Sequence, residues 1–426
     1  MTTSQAFNSF LDNIRVDNSD VISKRYKEIT KKLNKTFRNT DSEINNCLQV
    51  GSYGRYTGIK NISDLDMLYI VPSNQWDEYK NNPYKLLKKV KDALMERYPS
   101  TDIKVDRLVV DVFFQNFKFE VQPVFEYIEN DEIYYKYPDT DSETFKITKP
   151  RQEQDEMTYF RQTYGDAHRH LCKMMRAWKN TMGVVMGGLL IDTLTHNFLL
   201  NNSNYKNIGI TRYDELCRDF FLYLKNEPLK SHYRALGSGQ DVKVKHPFQK
   251  KAGKAYKKMV DAINESDNEK KHHILREVFG KWFPKADNIY ENETKSYTDR
   301  EEFIEDKYPI NIKYYLILDC EISRNGFREA YLSQILKSGQ KICRVRSLKF
   351  KFRTNVPKPY FVKWKVRNVG IEATKRNCLR GQIIDSNMGC AERLESADFC
   401  GPHYVECYII RKGVVVARER INVPID

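Results

Sequence analysis

No stretch of this sequence is apolar for long enough to span a bilayer, which excludes an ordinary transmembrane helix. No CxxC pair occurs among its nine cysteines, which removes the common zinc-ribbon and thioredoxin-type patterns. Cys378, Cys390, Cys400 and Cys407 gather near His403, but their spacings fit no usual zinc site, so reduced and mostly buried thiols are expected. The opening MTTSQAFNSFLDNIR lacks the basic-then-apolar order of a secretory signal, and a cytoplasmic protein without membrane insertion is the expectation. Internal repeats and long low-complexity segments are missing too, which argues against a solenoid or a disordered chain.

What is present is enough apolar material for several cores. Of 426 residues, 40% are hydrophobic and 12% aromatic, which suits two or three domains. The net charge of +14, from 71 Lys and Arg against 57 Asp and Glu, fits a polyanionic partner such as nucleic acid, a nucleoside triphosphate or an anionic membrane surface. It fits solvated surface lysines equally well, and charge alone does not choose.

The pattern along the chain changes twice. Ile22, Tyr26, Ile29, Leu33 and Phe37 recur at helical steps. A short apolar run from Ile44 to Val50 meets Gly51-Ser52, Leu65–Val71 reads as a buried strand ended by Pro72, and residues 84–97 are helical in spacing. Lys104–Phe125 is rich in Val and Phe and broken at Gln115-Asn116, which suggests a hairpin. This alternation implies an α/β or α+β domain over residues 1–150. Met157, Phe160, Tyr164, Leu171, Met175 and Trp178 then predict one long amphipathic helix, with further helices at 189–200, 213–224 and 252–263. This helical block, residues 151–298, ends around the polar segment Asn292 to Asp299. From residue 308 to 426 the pattern is short β-type runs, with Arg411-Lys412-Gly413 as a hairpin turn, and an all-β sandwich is the simplest architecture.

The chemistry concentrates in GSYGRYTGIKNISDLDMLYIV, residues 51–71. Asp64 and Asp66 stand two apart at the head of an apolar strand, so both face one side, ~7 Å apart. Two carboxylates on one face repel unless a cation joins them, and magnesium, with manganese as its substitute, prefers such hard oxygen ligands and shares them with phosphates. Gly51-Ser52 offers close backbone approach and a hydroxyl to a phosphate, with Arg55 and Lys60 nearby. A two-cation site needs a third acid. Glu120, on the return strand FEVQPVF, is the candidate; Glu126, Asp106 and Asp111 are weaker ones. Each motif alone is common in loops and turns, and it is their order and context that make them specific.

Gly-Ser, a spacer, then Asp-x-Asp opening a strand is the signature of the DNA polymerase beta-type nucleotidyltransferases. Within that superfamily the chain resembles the bacterial SMODS, or cGAS-like (CD-NTase), enzymes of CBASS-type and Hailong-type anti-phage systems, over about residues 20–290. LCKMMRAWKN (171–180), GGLLIDTLTHNFL (187–199) and FGKWFP (279–284) carry the helical half of the likeness. The family's third acid precedes a proline by three positions; that place is Glu120 before Pro123, where the family usually has Asp. WKVRNVGIEA (364–373), LRGQI (379–383), RLES (393–396) and GPHYVECYI (401–409) resemble the AGS-C sensor module found after SMODS domains.

The resemblance implies an α+β fold: a polymerase-beta-like catalytic core, a helical lobe completing the nucleotide cleft, and a C-terminal all-β, sandwich-like sensor domain. It implies a template-independent nucleotidyltransferase holding two Mg²⁺ (or Mn²⁺) ions on Asp64, Asp66 and Glu120. Its substrates would be nucleoside or deoxynucleoside triphosphates, and its product a cyclic or linear oligonucleotide signal read by a separate effector, which in such systems can be membrane-bound. Lys173 and Arg176 would reach phosphates. Arg367, Asn368, Glu372, Arg380, Arg393 and His403, with Glu395 and Glu406, carry suitable chemistry for a sensor ligand, though Arg–Glu bridges inside a sandwich would use the same residues. Two other functions compete: a non-catalytic nucleotide or nucleic-acid sensor, and a transferase that adds nucleotides to a macromolecular end.

Overall fold

In the computed structural model, which describes residues 1–115, 117–286, 301–389 and 391–426, the chain divides into two compact units. One comprises residues 2–177 with 187–266, the other residues 178–186 with 267–426. Asn116, the segment Asn292 to Asp299 and Cys390 lie outside the described residues.

The first unit begins with helices α1 (Thr3–Asn13) and α2 (Ser19–Arg38), strand β1 (Cys47–Gln49), the single turn α3 (Gly51–Gly54) and strand β2 (Asp64–Ile70). Helices α4 (Trp76–Tyr79) and α5 (Pro83–Arg97) follow, then strands β3 (Asp102–Asp106), β4 (Val109–Phe113), β5 (Lys118–Glu129), β6 (Glu132–Asp139) and β7 (Thr144–Thr148). The seven strands form one sheet, ordered β1-β2-β5-β4-β3, with β6 on the far half of β5 and β7 beside β6. Only β2 and β5 pair in parallel; the other pairs are antiparallel. One face of the sheet is closed by α2 and α5: Ile22, Ile29 and Leu33, with Leu86, Val90 and Leu94, pack on Leu65, Met67, Val110, Val112, Phe119 and Val121. By the two-residue period of a strand, Asp64, Asp66, Asp111, Lys118 and Glu120 must face away from that core.

The helices of this unit are α6 (Pro150–Tyr164), most of α7 (Ala167–Met182, which passes into the second unit at Trp178), α8 (Gly188–Leu200), α9 (Tyr213–Asn226) and α10 (Gln249–Asn264), with a small ribbon of β8 (His232–Arg234) and β9 (Asp241–Lys243). The long helix expected across Met157–Trp178 is two helices. Gly165, at φ +68°, ends α6 in a conformation that L side chains rarely adopt, while the apolar period runs on across the break. Strands β6 and β7 were not separable by pattern from the long strand before them. The turn from β5 into β6 carries Asn130 and Asp131, both at positive φ, residue types that tolerate that region and mark turns.

The second unit opens with α11 (Asn268–Phe279), started by Asp267, whose side chain accepts from the Glu269 and Lys270 amides. Two four-stranded antiparallel sheets follow. The first joins β10 (Leu316–Arg324), β11 (Phe327–Tyr331), β12 (Ser347–Thr354) and β15 (Arg393–Ser396); the second joins β13 (Phe361–Arg367), β14 (Arg380–Ile384), β16 (Gly401–Arg411) and β17 (Val414–Ile425). Short helices α12 (Leu332–Lys337) and α13 (Ile371–Lys375) lie between strands. The inner faces share one core, with Cys320, Leu348 and Phe350 against Trp364, Val405 and Cys407. The turn at Lys412-Gly413 has both residues at positive φ, as a tight hairpin requires. The fold is thus α+β with a C-terminal pair of antiparallel sheets.

Phe119 has no exposed surface and its ring meets Phe114 and Phe117 edge-on. Phe119→Ala is expected to cost about 3–5 kcal/mol, read as a lower urea midpoint with unchanged slope. A midpoint shift under about 1 kcal/mol would contradict the packing described.

Candidate active site

The site is built where β1 turns through α3 into β2. Gly51 holds φ +65°, and a Cβ placed there would fall 1.8 Å from Asp66 Oδ2. Only glycine fits on both counts, so the backbone at Gly51 lies directly against the Asp66 carboxylate. The loop is drawn tight as the Ser52 carbonyl accepts from the amides of Thr57 and Gly58.

Register then assembles the acids. Parallel pairing sets Asp64 opposite Lys118 and Asp66 opposite Glu120; antiparallel pairing sets Asp111 opposite Glu120. Directly paired residues share a face, so four carboxylates and one ammonium meet on three neighbouring strands. Lys118 Nζ lies 2.6 Å from Glu120 Oε1 and 2.8 Å from Asp111 Oδ1. Burial pushes the Asp66 carboxyl well above the usual range; the negative charges of Glu120 and Asp64 push further, and Arg55 opposes. Burial raises Asp111 against the pull of Lys118. Burial would lower Lys118, but Glu120, Asp111 and Asp64 outweigh it and raise it.

A carboxylate driven to hold its proton marks a place short of positive charge. Hard oxygen donors crowded in this way have the chemistry that Mg²⁺ or Mn²⁺ takes. Among the described residues no three His, Cys, Asp or Glu side chains form a finished ligand set. At Glu120 it is the ammonium of Lys118 that supplies the counter-charge.

The cations expected for phosphate binding divide into two groups. Arg55 and Arg176 form the first. Arg55 Nε is 2.9 Å from Asp192 Oδ2 and its Nη1 is 3.0 Å from Glu153 Oε2. Arg176 reaches the two Asp192 oxygens at 2.6 and 2.9 Å. Both guanidiniums are buried and committed to carboxylates, so they tie the glycine loop to α7 and α8. Asp192, with no exposed surface, also accepts from Thr57. Burial disfavours its charge, but Arg176 and Arg55 outweigh that and hold it well below the usual carboxylate range. Lys60 is paired with Asp17 at 2.8 Å.

Lys173 is different. Burial lowers its ammonium, and the nearby charges of Arg15 and Arg169 lower it further. Arg169 lies 4.7 Å over the ring of Tyr56, and its Nε is buried without a hydrogen bond. This group has an excess of positive charge, which is what an incoming anion requires. Arg15 and Arg169 were missed in the sequence. The four-residue step from Arg169 to Lys173 was the available signal. Of the tyrosines near the motif, Tyr69 is in the core and donates to the Leu33 carbonyl, Tyr53 packs against the core, and Tyr56 is exposed.

In the second unit the candidate ligand residues are engaged with one another. Arg380 and Arg393 both reach Glu395 at 2.7 Å. Arg367 donates to the Arg380 carbonyl, and Asn368 to the Cys378 carbonyl. Glu372 faces Lys375 and Arg376 along its own helix. His403 Nδ1 accepts from the Val369 amide, so its proton sits on Nε2 and is donated to the Phe399 carbonyl. Glu406 takes Arg418 at 3.1 Å and the Tyr408 hydroxyl at 2.5 Å. Cys407 is buried in the core.

Two family models match the chain. Residues 1–159 match the Second Messenger Oligonucleotide or Dinucleotide Synthetase (SMODS) domain. Residues 298–426 match the Adenylyl/Guanylyl and SMODS C-terminal sensor domain. No curated protein matches. Among solved structures, CdnC of E. coli MS115-1, in complex with a HORMA protein, shares 15% identity at a TM-score of 0.50, covering 66% of this chain and 98% of that one; the likeness is one of fold. Vibrio cholerae DncV (14% identity, TM-score 0.45, 56% of this chain and 69% of that) and Elizabethkingia meningoseptica CdnE, a cyclic dinucleotide synthase (15%, 0.45, 62% and 100%), are also similar.

Asp192→Ala takes the carboxylate shared by two buried guanidiniums from Arg176 and leaves Arg55 with Glu153 alone, and is expected to cost about 3–5 kcal/mol, measured by denaturant midpoint. Because the folded carboxyl titrates below its unfolded value, the Asp192 contribution is complete above about pH 4 and is lost as pH falls below it. The gap between wild type and the variant should therefore narrow on acidification; a gap constant down to about pH 2 would refute the clamp.

Proposed function

We propose that this chain, with its SMODS-type residues 1–159 and its C-terminal sensor-type residues 298–426, is a cGAS-like (CD-NTase) nucleotidyltransferase that joins nucleoside or deoxynucleoside triphosphates into a short oligonucleotide signal through Asp64, Asp66 and Glu120. The observation that carries this reading is the register of β2 and β5, which sets Asp66 beside Glu120 with Asp64 two residues away against a glycine loop that admits no side chain.

The three acids would hold two divalent cations, which when bound supply Lewis-acid stabilisation of the entering and leaving oxygens of an in-line displacement. Gly51 and Ser52 offer backbone and hydroxyl to the triphosphate. Lys173, with Arg169 and Arg15, balances its charge. Arg55, Arg176 and Asp192 keep the loop in place. In the step itself the bond from a 3′-oxygen to the α-phosphorus forms and the α–β anhydride bond breaks. Pyrophosphate leaves with the electron pair, and the hydroxyl proton passes to a site carboxylate. Burial of the acids raises the energetic value of each of these charge interactions.

In this reading residues 1–150 are the catalytic core, 151–298 the lobe that completes the nucleotide cleft, and 308–426 the sensor. The same reading places the protein in the bacterial cytoplasm, in anti-phage defence, with a separate protein reading the product. Among the described residues no helix is long and apolar enough to cross a membrane.

The test is incubation with labelled NTPs or dNTPs and Mg²⁺ or Mn²⁺. A cyclic product or a ladder of linear oligomers supports the reading, and Asp64→Asn with Asp66→Asn should lower the rate by at least about 10³-fold. Label on a protein or RNA end points to a tailing transferase, and binding without turnover to a sensor; either result overturns the proposal. Lys173→Ala is expected to raise KM for the triphosphate several-fold with a smaller effect on kcat, and an unchanged KM would remove Lys173 from the phosphate site.

A further inference from the structure

Lys118 has no place in the reading above, yet its ammonium is at the centre of the acid cluster. Its side chain is 17% exposed, against 3% for Asp111 and 23% for Glu120. An ammonium 2.6 Å from Glu120 Oε1 occupies the space in which a divalent cation would meet that oxygen. Two like charges cannot share that place in a half-buried site without strong repulsion. Lysine also has the means to leave: a compact charge on a flexible four-carbon stem. Asp111 is one strand further from β2, paired opposite Glu120, and already lies 2.8 Å from the same nitrogen.

We propose that Lys118 is a built-in counter-ion that competes with the divalent cation for Glu120, and that Asp111 is the carboxylate to which it retreats when the cation arrives. The pair therefore sets the cation concentration at which the site fills. This rests on the assignment of Asp64, Asp66 and Glu120 as cation ligands. Without Lys118 the cluster would hold Asp64, Asp66, Asp111 and Glu120 with no cation of its own beside Glu120. With Lys118 fixed there permanently, Glu120 could not serve a metal. Asp111 resolves the conflict, because the ammonium can keep one buried partner while it gives up the other. Both are positioning residues; neither needs to touch substrate.

The test is Mn²⁺ binding to the full-length protein without nucleotide, followed by electron paramagnetic resonance of the free ion, with Mg²⁺ titration of turnover as a second readout. Lys118→Met combined with Asp111→Asn removes both charges of the pair, so the buried Asp111 carboxylate is not left without its ammonium. It is expected to lower half-saturating Mn²⁺ about tenfold. Asp111→Asn alone takes away the retreat and holds Lys118 on Glu120, so half-saturation should rise by about threefold or more. Circular dichroism confirms folding of each variant. Opposite shifts support the counter-ion; a purely structural pair would weaken binding in both. Half-saturation in the double variant equal to or higher than in wild type overturns the inference while leaving the metal site standing, provided that wild-type binding is abolished by Asp64→Asn with Asp66→Asn. If wild type binds no Mn²⁺ that these substitutions abolish, the metal-site reading falls and the inference falls with it.

Discussion

Crowding of like charge on one sheet face is the constraint on which the first unit is organised. Parallel pairing of β2 with β5 cannot bring Leu65 and Phe119 together in the core without also setting Asp66 beside Glu120 on the other face. The same alternation that builds the core therefore builds the acid cluster. The core side is satisfied by Ile29, Leu33, Val90 and Leu94. On the acid side Lys118 meets Glu120 and Asp111. An interior that favours the fold on one face is thus coupled, at every residue step, to electrostatic strain on the other.

That strain has to be held in a fixed geometry to be useful, and the buried clamp on Asp192 provides it. Gly51 lies against Asp66 only because the loop after it is fastened: Arg55 joins Asp192 and Glu153, Thr57 joins Asp192, and Arg176 joins Asp192 from α7. Desolvating four such charges is unfavourable, and their attraction compensates because each guanidinium is matched to carboxylate oxygens at 2.6 to 3.0 Å. Removing one partner is consequently far worse than never having had the pair. The clamp also commits Arg55 and Arg176 to carboxylates. Their positive charge is already balanced, and the excess is instead at Arg15, Arg169 and Lys173.

How much of this was legible in the sequence follows from the range of each interaction. That Asp64, Asp66 and Glu120 share one sheet face was readable because strand alternation is local and a hairpin returns its acid to a neighbouring strand. The strand and helix limits around them were readable for the same reason: α2, β2 and α5 begin and end within a residue or two of the positions expected. The pairing of Arg55 was not legible because its partner is 137 positions away, and nothing near Arg55 announces Asp192. The break at Gly165 was hidden by an apolar period that continues through it. Asp111 was visible as an acid on the neighbouring strand, but its role depends on Lys118, and a lysine next to a metal-type acid reads in sequence as surface charge. Lone arginines and glutamates in the second unit were ambiguous for a related reason: the pairing of β12 with β15 decides that Arg393 and Glu395 stand where they do.

The second unit shows what such pairing implies for a ligand. Lys365 is only 2% exposed and donates to Glu301 at 2.6 Å, while Arg418 donates to Glu305 at 2.8 Å and to Glu406 at 3.1 Å. Tyr404 donates to Glu301 as well. Positive groups on this sheet are therefore already met by acids from the segment that precedes the first strand. Counting arginines would suggest a strong anion site here. An anion that arrived on this face would have to displace a carboxylate from each donor it took, and each displaced carboxylate would need water or another partner in return. Affinity for any anion on that face would be the difference between two sets of hydrogen bonds, so selectivity there would need more than charge: an aromatic ring, a second anionic group at the right separation, or an apolar face.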